Sequence, residues 1–361
     1  MKTYLVVGQG LAGSFLAWQL LQRGQNVTVV DDHHRRCASF SAAGMVNPIT
    51  GKRLVLSDQC AELLPFARSF YQELERFFRQ EFFVATDIIR IFQSPAEHNE
   101  WTIKSRQPHG EKYYGRYQPP GVHGAAVRDP LGSFLIRQGG YCHKERLLRC
   151  LTEFFRQKEI LREERLDYQD LILTEEGARW KGKVFSCVIF CEGYQIRGNP
   201  FFSWIPFKPA KGEILNLRIE SSGIPRSVLS GGKWLIPLIG DQWTVGSTYH
   251  WDRLDEEPTV KGKNEILEGL RRFVNVQARV TGHAAGVRPI TRDRFPCLGR
   301  HPAHPQLAVF NGLASKGLLW GPFYAVHMAE HLLHSVPLEK RVAIGRFQRK
   351  WFVDRRKMDK K

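Results

Sequence analysis

Apolar positions along the chain alternate between two periods. Residues 4–7 form a short continuous apolar run, which reads as a buried strand. Residues 11–23 carry apolar side chains at helical spacing, and residues 27–30 read as a second strand. Residues 58–82 predict a long amphipathic helix, with an interruption at Pro65 near its start. Residues 88–92 are strand-like, whereas 107–124 are rich in Gly, Pro and Tyr and predict loop. Residues 143–158 predict a helix that places Leu147, Leu148, Leu151, Phe154 and Phe155 on one face. Residues 184–191 are a further apolar strand. Residues 214–249 alternate strand patterns with turn signals, as an antiparallel sheet does. Residues 264–273 predict helix, and 308–333 predict strand, turn and helix. Parallel-type β/α elements therefore sit at both ends and in the middle, with antiparallel material between them. That pattern predicts one domain of discontinuous segments with a second domain inserted. The boundaries it suggests are 1–82, 140–205 and 283–361 for the first, and 83–139 with 206–282 for the second.

Two apolar stretches need separate reading. Residues 5–21 follow a Lys, as a leader would, but Gly8, Gln9, Gly10 and Gly13 break them and no small-residue cleavage site follows. Residues 307–328 are long enough to span a bilayer. They contain Asn311, Gly312, Lys316, Gly317 and Pro322, so no membrane span is expected. The seven cysteines are odd in number and scattered, with no zinc or CxxC spacing, and Cys187 and Cys191 sit in an apolar run. This predicts reduced core thiols, a cytoplasmic location and no metal. The net charge of +17 favours anionic ligands, from nucleotides and acidic substrates to nucleic acid. Residues 346–361 alone carry eight basic and two acidic side chains, read as a solvated terminal helix and tail. No RNA-binding motif accompanies them, and no feature fixes an oligomeric state.

The chemistry begins at Gly8-Gln9-Gly10-Leu11-Ala12-Gly13, which joins the first strand to the first helix. Gly8 permits the tight turn, Gly10 lets backbone approach a diphosphate, and Gly13 lets the helix pack on the strand. The diphosphate would then meet free N–H groups and the positive end of the helix dipole. A lone motif of this kind is weak. Here Ala17, Leu20 and Gly24 follow at packing spacing, and Asp31 ends the second strand 18 residues past Gly13. A carboxylate there accepts ribose hydroxyls, so the unit predicts a Rossmann-type dinucleotide site. His33, His34, Arg35 and Arg36 suggest a 2′-phosphate, but Asp31 would repel one, and the run reads as solvated loop. A dinucleotide without a 2′-phosphate, FAD or NAD, is the ligand these residues predict.

The separated motifs resemble the FAD-dependent D-amino-acid oxidase superfamily, and within it the glycine oxidase branch. Ser39-Phe40-Ser41-Ala42-Ala43-Gly44-Met45 is similar to the family's loop along the flavin. Residues 188–193 resemble a strand ending in Ala-Thr-Gly, with only Gly193 kept. Pro209-Ala210-Lys211-Gly212-Glu213 looks like the entry to the substrate domain, and Gly286-Val287-Arg288-Pro289 through Asp293, Pro296 and Gly299 like the Gly-Leu-Arg-Pro block. Residues 312–322 resemble the glycine-rich turn before the last helix. The resemblance implies a Rossmann-type FAD-binding domain with an inserted α+β substrate domain containing an antiparallel sheet. It implies that Arg288 binds the substrate carboxylate, a role suited to its planar fork of donors. The bland alternative is an Arg that holds Asp293 or a loop carbonyl. Gly312, Ser315, Lys316 and Gly317 would bring N–H groups and a helix N-terminus to the flavin's pyrimidine edge; Lys316 either adds charge there or points to solvent.

Three departures qualify the resemblance. Trp234 stands where glycine oxidases have Tyr, Leu313 replaces a more polar residue, and no Cys occupies the covalent flavin position of the sarcosine oxidase branch. Cys297 lies beyond that position and reads as core. The FAD is therefore expected to be non-covalent, and glycine itself is in doubt. The segments Thr291-Arg292-Asp293 and Ser315-Lys316-Gly317-Leu318, with Pro296 and Gly299, also look like the oxidase domain of the bifunctional enzyme that finishes 5-methylaminomethyl uridine in tRNA. That domain removes a carboxymethyl group from an amine. The segments 42–45 and 211–213 favour the free amino-acid branch, leaving tRNA as the second partner. The expectation is thus hydride transfer from the Cα–H of a small carboxylated amine to flavin N5, with Arg288 and Trp234 at the reacting end. A flavin-binding protein without turnover is the third reading. Trp251 is a further candidate for the pocket wall, or core, and His250 a weak pocket candidate.

Overall fold

The computed structural model describes residues 1–32, 37–220 and 223–348. The basic run at 33–36, and the charged tail from 349 onward, lie outside the described residues.

One sheet has six strands, in the spatial order Leu161–Glu163, Asn26–Asp31, Thr3–Val7, Cys187–Phe190, Leu307–Asn311 and Cys297–Arg300. The first five are parallel and the last is antiparallel. Strand order reverses beside Thr3–Val7, where successive crossovers leave in opposite directions and a crevice opens. The register pairs Val7 with both Val30 and Phe190. Three chain exits, at Gly8, Asp31 and Cys191, therefore open into that crevice at one level.

Helix Leu11–Gln22 is apolar on all sides because it is covered on all sides. Every residue from Leu11 to Leu20 is buried. The last helix, Gly317–His334, packs directly against it. Glycines spaced one turn apart permit this closeness: a Cβ at Gly317 would stand 2.9 Å from Leu11 Cδ1, and one at Gly321 2.9 Å from Phe15 Cδ2.

The second sheet has eight strands, ordered Arg279–Arg288, Ala210–Arg218, Gln242–Gly246, Lys233–Pro237, Val228–Gly231, Ile88–Ile91, Ser133–Ile136 and Tyr114–Gln118. Only the Val228–Gly231 and Ile88–Ile91 pair is parallel. Helix Val260–Arg271 covers one face, where Ile266 and Leu270 join Leu215, Leu217 and Val245 in a core. The chain is thus mixed α/β, with a Rossmann-type parallel sheet and a largely antiparallel one.

Several elements differ from the sequence pattern. The stretch 107–124 holds a short 3-10 turn at Gly110–Lys112 and the edge strand Tyr114–Gln118. The apolar run 184–191 is two elements: Lys183–Phe185 closes a hairpin with Gly177–Trp180, and Cys187–Phe190 enters the parallel sheet. Pro65 does not interrupt the helix Cys60–Phe78. It lies within two turns of the N-terminus, so it forfeits one backbone hydrogen bond without breaking the packed face. Among the described residues, no helix is long and apolar enough to cross a membrane.

Candidate active site

A cavity of about 460 Å³ runs along the C-terminal ends of the parallel strands and is lined from both sheets. That volume lies within the roughly 300–1,000 Å³ of ligand pockets. One end is the glycine turn. Gly8 has φ +98°, and a Cβ there would lie 2.6 Å from the Cys191 carbonyl oxygen. Gly13 is closer still, its Cβ position being 1.8 Å from Gly8 O, so the helix starts in contact with the strand that feeds it. Gly10 is the N-cap of that helix; its extended backbone brings no side chain, and no acidic residue occupies the first turn. The positive end of the dipole therefore faces the cavity without an internal counter-charge. The N–H of Gln9 donates to Asp31 Oδ2 at 2.6 Å, which fixes the carboxylate at the strand exit. This is the donor set a dinucleotide requires: an open helix N-terminus for the diphosphate and a carboxylate for a ribose. The residues fit FAD.

The next wall is the loop from Ser39 to Met45. Ser39 Oγ accepts from Leu11 N–H at 3.0 Å, and Ser41 Oγ donates to Ala285 O at 2.7 Å. Gly44, at φ +82°, sits where a Cβ would meet Cys142 O at 2.6 Å. The loop is thus tied to both sheets. Opposite it, Asn311 ties two strand exits together, donating from Nδ2 to Gly193 O at 2.8 Å and accepting from Gly312 N–H at 2.7 Å. The last helix begins after Lys316, again without an acidic residue in its first turn.

Arg288 ends the strand Arg279–Arg288 and reaches the cavity from the antiparallel sheet. Its Nη2 donates to Ser247 Oγ at 2.8 Å and its Nη1 to Thr248 O at 3.3 Å, while the Tyr249 ring centroid lies 4.9 Å from its guanidinium carbon. Among the described residues it forms no ion pair. Asp293, the alternative partner, is engaged by Arg346 Nε at 2.7 Å. Burial lowers the Arg288 pKa from the usual guanidinium range. The group still carries its charge, because a guanidinium does not deprotonate in proteins. Gly212, on the neighbouring strand, makes the space: a Cβ there would stand 2.1 Å from both terminal nitrogens. The flanking residues of that segment are structural. Lys211 pairs with Asp255 at 2.6 Å, and Glu213 accepts from Thr259 N–H and Oγ1 and pairs with His283 Nε2, each at 2.8 Å.

The cavity gathers most of the residues singled out from the sequence. Gly8, Gly10, Leu11, Ala12, Asp31, Ser41, Ala42, Ala43, Gly44, Met45, Gly193, Trp234, Arg288, Ser315, Lys316 and Gly317 all line it. Gly13 and Gly312 stand behind the wall, as backbone joints. Lys316 is not simply solvated: it lies over the Trp320 ring at 4.8 Å, and burial lowers its pKa. Trp251 is neither wall nor core; it is 53% exposed and leans on Tyr249, ring centroids 4.8 Å apart. His250 is engaged with Glu265 at 2.9 Å, away from the cavity. Cys297 is fully buried outside the lining, whereas Cys37 and Cys191 do line it, and burial raises both thiols. All seven cysteines are unpaired, and the described residues contain no cluster suited to a metal ion.

Ser247, Tyr249 and Glu192 are lining residues that the sequence did not single out. Ser247 and Tyr249 follow a strand whose place is set only by sheet pairing, and no local signal marks them. Glu192 was visible as the residue standing where the resemblance has Thr. Burial pushes its carboxyl up to about 7, against two hydrogen bonds that favour the ionised form: Tyr168 Oη donates at 2.6 Å and Asn199 Nδ2 at 2.8 Å.

Known proteins share this fold. The family model described as FAD dependent oxidoreductase (DAO) matches residues 3–331. The glycine oxidase of Pseudomonas aeruginosa is 23% identical over 88% of this chain and 91% of its own length. The tRNA 5-methylaminomethyl-2-thiouridine biosynthesis bifunctional protein MnmC of Marinobacter nauticus is 23% identical over 96% of this chain; the match spans only 58% of that relative's length. Among solved structures, glycine oxidase from Geobacillus kaustophilus superposes with a TM-score of 0.79, at 18% identity, over 96% of this chain and 98% of its own. Iminodiacetate oxidase from Chelativorans sp. BNC1 gives 0.75, at 21% identity, over 94% and 98%. These likenesses establish the fold, and the family model covers nearly the whole chain: the protein belongs to the DAO family of FAD-dependent oxidoreductases.

Proposed function

We propose that this protein oxidises the C–N bond of a small carboxylated amine, an amino acid or N-substituted glycine, with non-covalent FAD. One observation carries the reading: Arg288 is a cavity-facing cation with no acidic partner among the described residues. Leaving such a charge uncompensated is costly, and a substrate carboxylate supplies the missing partner. Arg288 binds that carboxylate through two N–H groups and fixes the substrate's orientation. Trp234 and Tyr249 wall the same end and exclude water from it. The glycine turn, Asp31 and the 41–45 loop hold the dinucleotide, with Gly193 and residues 315–317 beside it. When bound, FAD would supply the hydride acceptor for oxidation of the substrate C–N bond. Protonated thiols at Cys37 and Cys191 suit non-covalent attachment, since the thiolate is the nucleophile. We assign cofactor binding to 1–82, 140–205 and 283–361, and substrate binding to 83–139 and 206–282. Unpaired cysteines support a cytoplasmic setting.

A second reading has its own support. The relatives include tRNA-modifying bifunctional proteins, of which this chain matches little more than half. An N-carboxymethyl group on a nucleoside offers Arg288 the same carboxylate. Anaerobic bleaching of the flavin separates the readings. Glycine, sarcosine, proline, iminodiacetate and D-amino acids form one panel; tRNA bearing carboxymethylaminomethyl uridine is the other. Bleaching by a free amine, lost in Arg288→Ala, is expected. Bleaching by the tRNA alone selects the second reading. If dithionite bleaches the flavin and no amine does, the substrate assignment fails and cofactor binding remains.

A further inference from the structure

Glu192 follows the strand Cys187–Phe190 at the point where strand order reverses. Its backbone touches the glycine turn: a Cβ at Gly8 would lie 3.4 Å from Glu192 Cα. Glu192 lines the cofactor cavity beside the glycine turn. Oε1 accepts from Tyr168 Oη at 2.6 Å and Oε2 from Asn199 Nδ2 at 2.8 Å. Among the described residues it forms no ion pair. The groups facing it are Tyr168 and Arg165 from the segment after Leu161–Glu163, Asn199 after the 3-10 helix Gly193–Gly198, and Cys191 beside it on the chain. Asp31, Asp32 and Glu164 line the same cavity. Of these, only Arg165 carries a positive charge, and among the described residues it forms no salt bridge with Glu192.

We infer that Glu192 couples dinucleotide binding to uptake of a proton, because the residue shares one wall of the cleft with the glycine turn and its Cα stands against Gly8. A carboxylate and a diphosphate held by one wall disfavour each other in a site of low dielectric. The bound state therefore holds Glu192 as the neutral acid. Neutralisation does not break the network: each oxygen of a carboxylic acid keeps a lone pair for Tyr168 or Asn199, and one gains an O–H to donate. In the free protein burial already pushes the carboxyl up to about 7, so the proton is exchanged near neutrality. The diphosphate raises it further. A ligand that raises the pKa of a group binds best below the free-state value and weakens as pH rises past it. This inference rests on FAD binding and is independent of which amine is oxidised.

The test is FAD affinity of the full-length apoprotein, read by flavin fluorescence between about pH 6 and 8.5. The Kd should be flat at the acid end and rise above neutrality by up to about tenfold per pH unit. Calorimetry at about pH 8, in two buffers of different ionisation enthalpy, should show uptake of up to one proton. Glu192→Gln should bind with a flat profile. Tyr168→Phe, which removes a donor to the ionised form and leaves the carboxyl, should move the break to higher pH. A Kd constant across the range, a pH dependence that survives in Glu192→Gln, or an unmoved break in Tyr168→Phe would overturn the coupling.

Discussion

Arg288 and Gly212 form one unit at the residue scale. The guanidinium's directional contacts are to Ser247 and Thr248, and its position depends on a missing Cβ across the strand pair. A charge-assisted hydrogen bond contributes about 1.5–3 kcal/mol, so Arg288→Ala should weaken substrate binding roughly 10- to 150-fold. Lys at this position keeps the charge but not the planar two-point fork, and Arg288→Lys should recover little. Gly212→Ala makes the point differently. Its new methyl must displace both terminal nitrogens, so KM should rise nearly as much as in Arg288→Ala. The flavin-to-protein absorbance ratio should stay at the wild-type value, because a Cβ at Gly212 meets the Arg288 guanidinium first and not the glycine turn. A lost flavin in Gly212→Ala would show that the strand, and not the guanidinium, had moved.

At the scale of elements, the glycine turn is rigid because three elements meet there without side chains between them. Gly13→Ala would place a Cβ 1.8 Å from the Gly8 carbonyl, backbone against backbone. No rotamer relieves that contact, so the helix must shift and the diphosphate cradle with it. The variant should lose FAD, and its Tm should fall by about 1–2 °C for each 1 kcal/mol of stability lost in a chain of this size. Gly345→Ala, in the short 3-10 helix Ile344–Phe347 where a Cβ meets nothing within 4 Å, is the control and should keep both. This turn was legible in the sequence because its signal is local: strand, glycines, helix and Asp31 fall within about 30 consecutive residues, as a βαβ unit requires. Ser247 and Tyr249 were not legible for the opposite reason. They reach Arg288 only because Gln242–Gly246 pairs with Ala210–Arg218, and that strand in turn with Arg279–Arg288. Likewise Tyr114–Gln118 shows no clean alternation, since it is an edge strand with a register shift and takes its form from Ser133–Ile136.

At the scale of the whole molecule, two sheets meet at one cavity and divide the labour by charge. In the proposed reading, the parallel sheet offers open helix ends to a dianion and the antiparallel sheet offers Arg288 to a carboxylate. Neither role needs a surplus of positive charge over the rest of the chain, yet the net charge is +17. Arg288 accounts for one unit of it, and the helix dipoles for none. The remainder produces a field that attracts polyanions whatever the substrate. Residues 349–361 carry seven basic and two acidic side chains, a net +5, and deleting them would leave +12. If tRNA is the substrate, its affinity should fall steeply with salt, with a slope of about −0.7 to −0.9 per neutralised phosphate. The deletion should reduce that slope while leaving anaerobic flavin bleaching by free amines unchanged. Under the favoured reading, free-amine bleaching is insensitive to added tRNA at moderate salt, and the deletion alters only non-specific retention on RNA. Measuring both the salt slope and the bleaching rate on the same two proteins separates a charge that serves recognition from one that serves only solubility. A deletion that slowed turnover of a free amine would contradict both assignments and place the tail in the reaction itself.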